Sequence, residues 1–207
     1  MAGALLASGT VSSDPPAGRV IEQAEEVMRR SFTGATPEEW ETRLAQDEVQ
    51  ALCSRYRNSP PPEAAARIVA SSRAGFRYPS DGRLMGDWRN GEKLASSGRG
   101  GHIGRIQPDP PGTPRGGNCY ACHALAPDEV AAGNLGPSLT GYGTRLGMAP
   151  ETVKYVYEKV YNAQAYFPCS HMPRFGANGW LTPEEIADTV AFLLDPASPV
   201  NAPAGKP

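Results

Sequence analysis

The run Cys119-Tyr120-Ala121-Cys122-His123 constrains this chain more than any other feature. Two cysteines three residues apart occupy neighbouring positions of one helical turn, with an imidazole directly behind them. Such thiols can form thioethers with the two vinyl-derived carbons on one edge of a haem. The histidine then stands beneath the ring, a nitrogen toward the iron. The spacing is that of a c-type haem attachment site. Other readings use the same residues. A thioredoxin-like C-x-x-C needs a βαβ neighbourhood, and the sequence offers no convincing period-two strand. A zinc site would take Cys119, Cys122 and His123 with Cys169 as fourth ligand, although structural zinc sites more often draw on two spaced pairs. The motif can also be accidental. Covalent haem is the preferred reading.

A haem histidine needs its second ring nitrogen held by a hydrogen bond. Asn134-Leu135-Gly136-Pro137-Ser138-Leu139 begins 11 residues after His123. Its glycine-proline step makes a rigid turn whose carbonyl can accept the Nδ1–H. The sixth-ligand candidates lie together in Cys169-Ser170-His171-Met172-Pro173-Arg174-Phe175-Gly176, with Met172 standing 49 residues after His123. A thioether followed by proline suits a constrained loop laid over a haem, so Met172 is favoured and His171 is the alternative. Methionine raises the potential of haem iron, and a second histidine would lower it. Methionine also closes the site, which points to electron transfer rather than substrate chemistry at iron. Arg174 suits a haem propionate; a plain surface role fits it equally. Tyr142, Tyr155, Phe167 and Trp180 are candidates for the pocket wall or for ordinary core. A copper site from Cys169, His171 and Met172 is disfavoured, because adjacent ligands cannot easily wrap one ion.

Two cysteines remain. C-type attachment in bacteria implies an extracytoplasmic compartment, which permits disulfides. Cys53 and Cys169 are therefore expected to bond, tying the second helix to the loop that carries Met172. A free buried Cys53 and an exposed reactive Cys169 are the alternatives. The formal charge of −2 gives no support for a nucleic-acid partner. No run approaches the roughly 18 apolar residues of a membrane span. Charge is uneven: Arg55 to Arg115 holds 11 basic and 5 acidic residues, net +6, and Asn118 to the end holds 5 and 8, net −3. That is either a docking surface for an acidic partner or a solvated arginine-rich face.

Periodicity predicts a mainly α chain. Helices are expected over 20–32, over 36–56 behind a capping box at Thr36-Pro37-Glu38-Glu39, over 62–71, over 87–96 and over 150–163. A turn is expected at 78–82 and a glycine- and proline-rich loop over 98–118. A second capping box, Thr182-Pro183-Glu184-Glu185, opens the last helix, which Pro196 stops. Met1 to Ser13 reads as a secretory remnant or a tail.

The joined motifs resemble the SoxX family, the monohaem cytochrome c subunits of the SoxAX complexes of bacterial thiosulfate oxidation. They are Asn118–His123, Gly136–Gly143, Tyr157–Gln164, Cys169–Gly176 and Leu181–Asn201, with Ala51–Asn58 and Tyr78–Trp88 upstream. The resemblance implies a class I cytochrome c-like fold over 81–203, its last helix packed on the 87–96 helix. Residues 1–80 would be a tail and a helical N-terminal extension. It further implies one covalent haem c bound by Cys119 and Cys122, with His123 and Met172 on iron and no catalytic residue in this chain. A periplasmic location, SoxA as partner, the carrier SoxYZ and a small acceptor cytochrome follow from the same resemblance. The rival readings are a free-standing electron carrier and a haem enzyme or sensor with an open iron site.

Overall fold

The protein is described by a computed structural model covering residues 17–33, 37, 40–99, 113–129 and 131–203. The Thr36–Glu39 capping box, Met1 to Ser13 and most of the 98–118 loop lie outside these residues. Seven α-helices occur among the described residues: α1 (Ala17–Ser31), α2 (Glu48–Arg55), α3 (Pro62–Ala74), α4 (Trp88–Ser96), α5 (Tyr142–Leu146), α6 (Pro150–Tyr161) and α7 (Pro183–Leu194). No strand occurs among them. The mainly α, class I cytochrome c-like class expected from the sequence is the class observed.

Helix α7 begins as its sequence dictates. Thr182 Oγ1 accepts from Glu185 N–H at 3.2 Å, and Glu185 Oε2 accepts from Thr182 N–H at 2.8 Å. Two otherwise orphaned donors are thus satisfied, with Pro183 at a position that needs none. Ile186, Val190, Ala191 and Phe192 are fully buried, so α7 is apolar nearly all round and lies at the centre of the core. Its C-terminal carbonyls are also satisfied: Ser198 Oγ donates to Phe192 O at 2.5 Å, and Asn201 Nδ2 to Leu193 O at 3.1 Å.

Helix α4 packs on α7 as expected. Asp87 caps α4 through Arg89 N–H, and its own N–H donates to Asp188 Oδ1 at 2.7 Å. A Cβ at Gly91 would overlap the Asp188 carbonyl and crowd Phe192 Cβ. The two helices therefore meet at backbone distance. Helix α6 contributes Val156, Tyr157, Val160 and Tyr161 to the same core. Its Glu158 is buried and accepts from Tyr78 Oη at 2.6 Å and Tyr166 Oη at 2.5 Å. Burial, then the neighbouring carboxylate, pushes the Tyr78 phenol up to about 12.

The expected helix over 36–56 is interrupted. A π-helical turn over Trp40–Leu44 ends, the chain extends through Gln46 and Asp47, and α2 starts afresh. The cause is a capping box of its own: Asp47 Oδ1 accepts from Gln50 N–H at 2.8 Å, and Gln50 Oε1 accepts from Asp47 N–H at 3.0 Å. Val49 and Cys53 of α2, Ile68 of α3 and Cys169 form a second small core. The 80/81 boundary falls in a turn closed by Gly82 N–H donating to Pro79 O at 3.0 Å. Helix α5 and the 3-10 turns at Cys119–Ala121, Ala163–Ala165 and Pro199–Asn201 are elements too short to show periodicity.

Substituting Gly91 by valine forces α4 off α7. A loss of about 3 kcal/mol is expected from overpacking, read as a lowered midpoint in urea unfolding.

Candidate functional site

The cysteine motif forms one 3-10 turn. Cys122 N–H and His123 N–H both donate to Cys119 O, at 3.1 and 2.9 Å. Two further bonds stitch the turn to the end of α4: Gly117 N–H to Leu94 O at 2.7 Å and Asn118 N–H to Ser97 O at 3.0 Å. Cys119 and Cys122 are unbonded. Burial pushes the Cys119 thiol up to about 11.

The His123 ring rests on the Gly136-Pro137 turn. A Cβ at Gly136 would overlap the ring, so only glycine fits there. His123 Nδ1 lies 2.7 Å from Pro137 O. A carbonyl only accepts, so Nδ1 carries a proton, and in the neutral ring the lone pair is on Nε2. The turn is held by Gly136 N–H on Cys122 O and Leu139 N–H on Ala124 O, both at 2.8 Å.

Cys119, His123 and Met172 share the wall of one apolar crevice. Leu94 and Ala95 of α4, Val160 of α6, Leu193 of α7 and Phe175 complete most of it. The donor set fits a haem: two free thiols on one turn, and on the apolar wall one of those thiols, an imidazole of fixed tautomer and a thioether. His171 is exposed, with Nε2 3.5 Å from Asn58 Nδ2, and is not on that wall.

Residues 116–195 match the family model described as Cytochrome c. The chain is also 40% identical over 205 residues to an "Uncharacterized lipoprotein" of Aquifex aeolicus (strain VF5), across 96% of each chain. It carries a cytochrome c domain and belongs to one family with this lipoprotein. A cytochrome c domain implies covalently bound haem c and electron exchange with redox partners. No helix among the described residues is long and apolar enough to cross a membrane.

Several expectations change. Cys53 and Cys169 form the expected disulfide, 116 residues apart. Cys169 is thereby removed as a zinc or copper ligand, and both alternative metal readings fall. None of the four aromatic residues is on the crevice wall; Tyr142, Tyr155 and Trp180 pack against the main core, the other reading the sequence offered. Tyr155 packs edge-on against Tyr166 and Tyr142 lies beside Arg145. Phe167 is largely exposed beneath Lys159. Trp180 donates Nε1–H to Gly116 O at 2.9 Å, with Arg115 over its ring. Arg174 Nη1 lies 2.6 Å from Asp47 Oδ2, a contact that the sequence did not announce. Asp47 was missed as a site-linked residue. The D-x-x-Q pattern from Asp47 to Gln50 was a readable cap, but a continuous 36–56 helix concealed it.

Gly136→Val is expected to drive the ring off the Pro137 carbonyl. Loss of such outer support typically costs a metal ligand about tenfold. The measurement is Soret absorbance per polypeptide after periplasmic expression; an unchanged ratio contradicts the role of the turn.

Proposed function

We propose that this chain is an exported monohaem c-type cytochrome and the electron-accepting subunit of a SoxAX-type complex. In this reading Cys119 and Cys122 hold the haem covalently. His123 Nε2 and Met172 Sδ ligate iron, and the Pro137 carbonyl fixes the imidazole. The observation that carries the haem reading is the crevice shared by the cysteine turn, a histidine of fixed tautomer and Met172. The exposed position of His171 supports Met172 as sixth ligand. When bound, the haem supplies a one-electron carrier.

The residues around it do the rest. The apolar wall of Leu94, Val160, Leu193 and Phe175 keeps water from the iron, which suits electron transfer and disfavours substrate chemistry. Residues 81–203 form the cytochrome unit in this reading, and the helices before them brace it.

The SoxAX assignment rests on the motif resemblance. The reaction there joins thiosulfate to a cysteine thiol of the carrier SoxYZ. It gives a cysteine S-thiosulfonate and releases one proton and two electrons. The reacting site belongs to SoxA, so this chain supplies no catalytic residue and takes the electrons one at a time. A small soluble cytochrome then receives them. The basic segment offers an electrostatic contact: Arg115 is exposed beside the cysteine turn and makes no ion pair among the described residues. A periplasmic location accords with the disulfide and with the name of the Aquifex relative.

Denaturing mass spectrometry of periplasm-matured protein tests the haem reading. A retained excess of one haem, about 616 Da, is expected, with about 2 Da more on reducing the disulfide. An unmodified mass removes the cytochrome mechanism. The assignment to a complex is tested by co-expression with a SoxA protein: a stable heterodimer that reduces its haem on addition of thiosulfate and SoxYZ is expected. Reduction by unrelated donors with no SoxA binding would identify a free-standing carrier. Met172→His is expected to lower the reduction potential in a potentiometric titration; no change would show that Met172 is not on iron.

A further inference from the structure

Helix α2 and its flanks grip the 169–174 loop at three places. Cys53 is bonded to Cys169, with Cα atoms 5.4 Å apart. Asp47, the N-cap of α2, meets Arg174 at 2.6 Å. Asn58, just past α2, lies 3.5 Å from the His171 ring. The gripped positions are 169, 171 and 174, so they bracket Met172. We propose that α2 is a splint that holds the Met172 thioether in its ligating position, with Asp47 and Cys53 as positioning residues. This rests on the reading of Met172 as an iron ligand.

The loop does not hold itself in this shape. Cys169 has φ 61, and Arg57 and Asn58 at the other end of the contact have φ 49 and 61. Asparagine adopts left-handed backbone readily, whereas at cysteine or arginine it persists only where the surroundings enforce it. The loop's own bonds around Met172 are few: Met172 N–H to Ser170 Oγ at 3.2 Å and Ser170 N–H to Phe167 O at 3.0 Å. The enforcement comes from α2.

The ion pair is built into the helix start. Asp47 Oδ1 caps Gln50 N–H while Oδ2 meets Arg174, so one carboxylate starts α2 and anchors the loop. The Arg174 side chain is only 12% exposed against 49% for Asp47. A guanidinium that sheltered is costly to leave without its partner. The pair therefore resists release of the loop after Met172, as the disulfide resists release before it. A loop freed of both visits shapes with the thioether withdrawn. A competing ligand then binds more tightly, in proportion to the fraction withdrawn.

The test uses oxidised holoprotein, with imidazole as the competing ligand. The wild type is first checked for the weak far-red band of a methionine–iron bond. Two variants are compared: Cys53→Ala/Cys169→Ala and Asp47→Asn. Asparagine keeps an acceptor for the α2 cap and removes only the charge facing Arg174. Imidazole affinity is expected to rise about tenfold in the first variant and about threefold in the second. Ser198→Ala, which removes a buried bond at the end of α7, is expected to lower Tm and leave imidazole affinity unchanged. If the double cysteine variant fails to mature, Asp47→Asn decides alone. Wild-type imidazole affinity in Asp47→Asn overturns the splint even where Tm falls. Absence of the far-red band in the wild type removes the ligand reading itself, and the splint with it.

Discussion

The close contact of α4 and α7 exists because position 91 carries no side chain. Gly91 lets the α4 backbone reach the Asp188 carbonyl and Phe192, and Asp87 N–H pins the start of α4 to the Asp188 carboxylate. Leu94 and Ala95 of α4 then line the same crevice as Thr189 and Leu193 of α7. The end of α4 supplies the carbonyls of Leu94 and Ser97 that hold the residues just before Cys119. The position of the cysteine turn is thus inherited from a helix contact with no redox chemistry of its own.

On that frame the site is assembled by short-range geometry. One 3-10 turn places two thiols and an imidazole together. A second turn, at Leu135–Ser138, offers a carbonyl at 2.7 Å that fixes the proton on Nδ1 of His123. The thioether side is different in kind. Its loop contains a left-handed cysteine and few bonds of its own, and it is held by a helix from the other end of the chain. Closing 116 residues with a disulfide stabilises by roughly 4–5 kcal/mol on the chain-entropy model. That figure belongs to the unfolded chain; in the folded protein the bond fixes Cys169, close before Met172.

What was legible in the sequence was local. The Thr182 capping box and the cysteine turn depend on residues within a few positions, and both formed as their sequences dictate. Helix α6 was legible from its apolar stripe. The break before α2 was not legible. It turns on Asp47, whose second partner, Arg174, is brought near only by the finished fold. The ion pair of Arg174 was not legible for the same reason: its partner comes from the N-terminal extension. The aromatic residues left two readings open, because ring size predicts burial and not which surface does the burying; Tyr142, Tyr155 and Trp180 packed against the core. Trp180 is spent on Gly116 and Arg115, Tyr155 on Tyr166. The disulfide was legible from cysteine count and compartment, whereas the three-point grip on the loop was not.

The central claim is that a thioether from the strapped loop and an imidazole from the cysteine turn meet one haem iron. The most direct measurement is the proton NMR spectrum of the reduced holoprotein labelled in its methionine methyl groups. The chain has five methionines. One methyl shifted far upfield by the haem ring current, and absent from Met172→Ala, is the predicted result. Five methyl signals in the ordinary range, or a shifted signal that survives removal of Met172, would contradict the account.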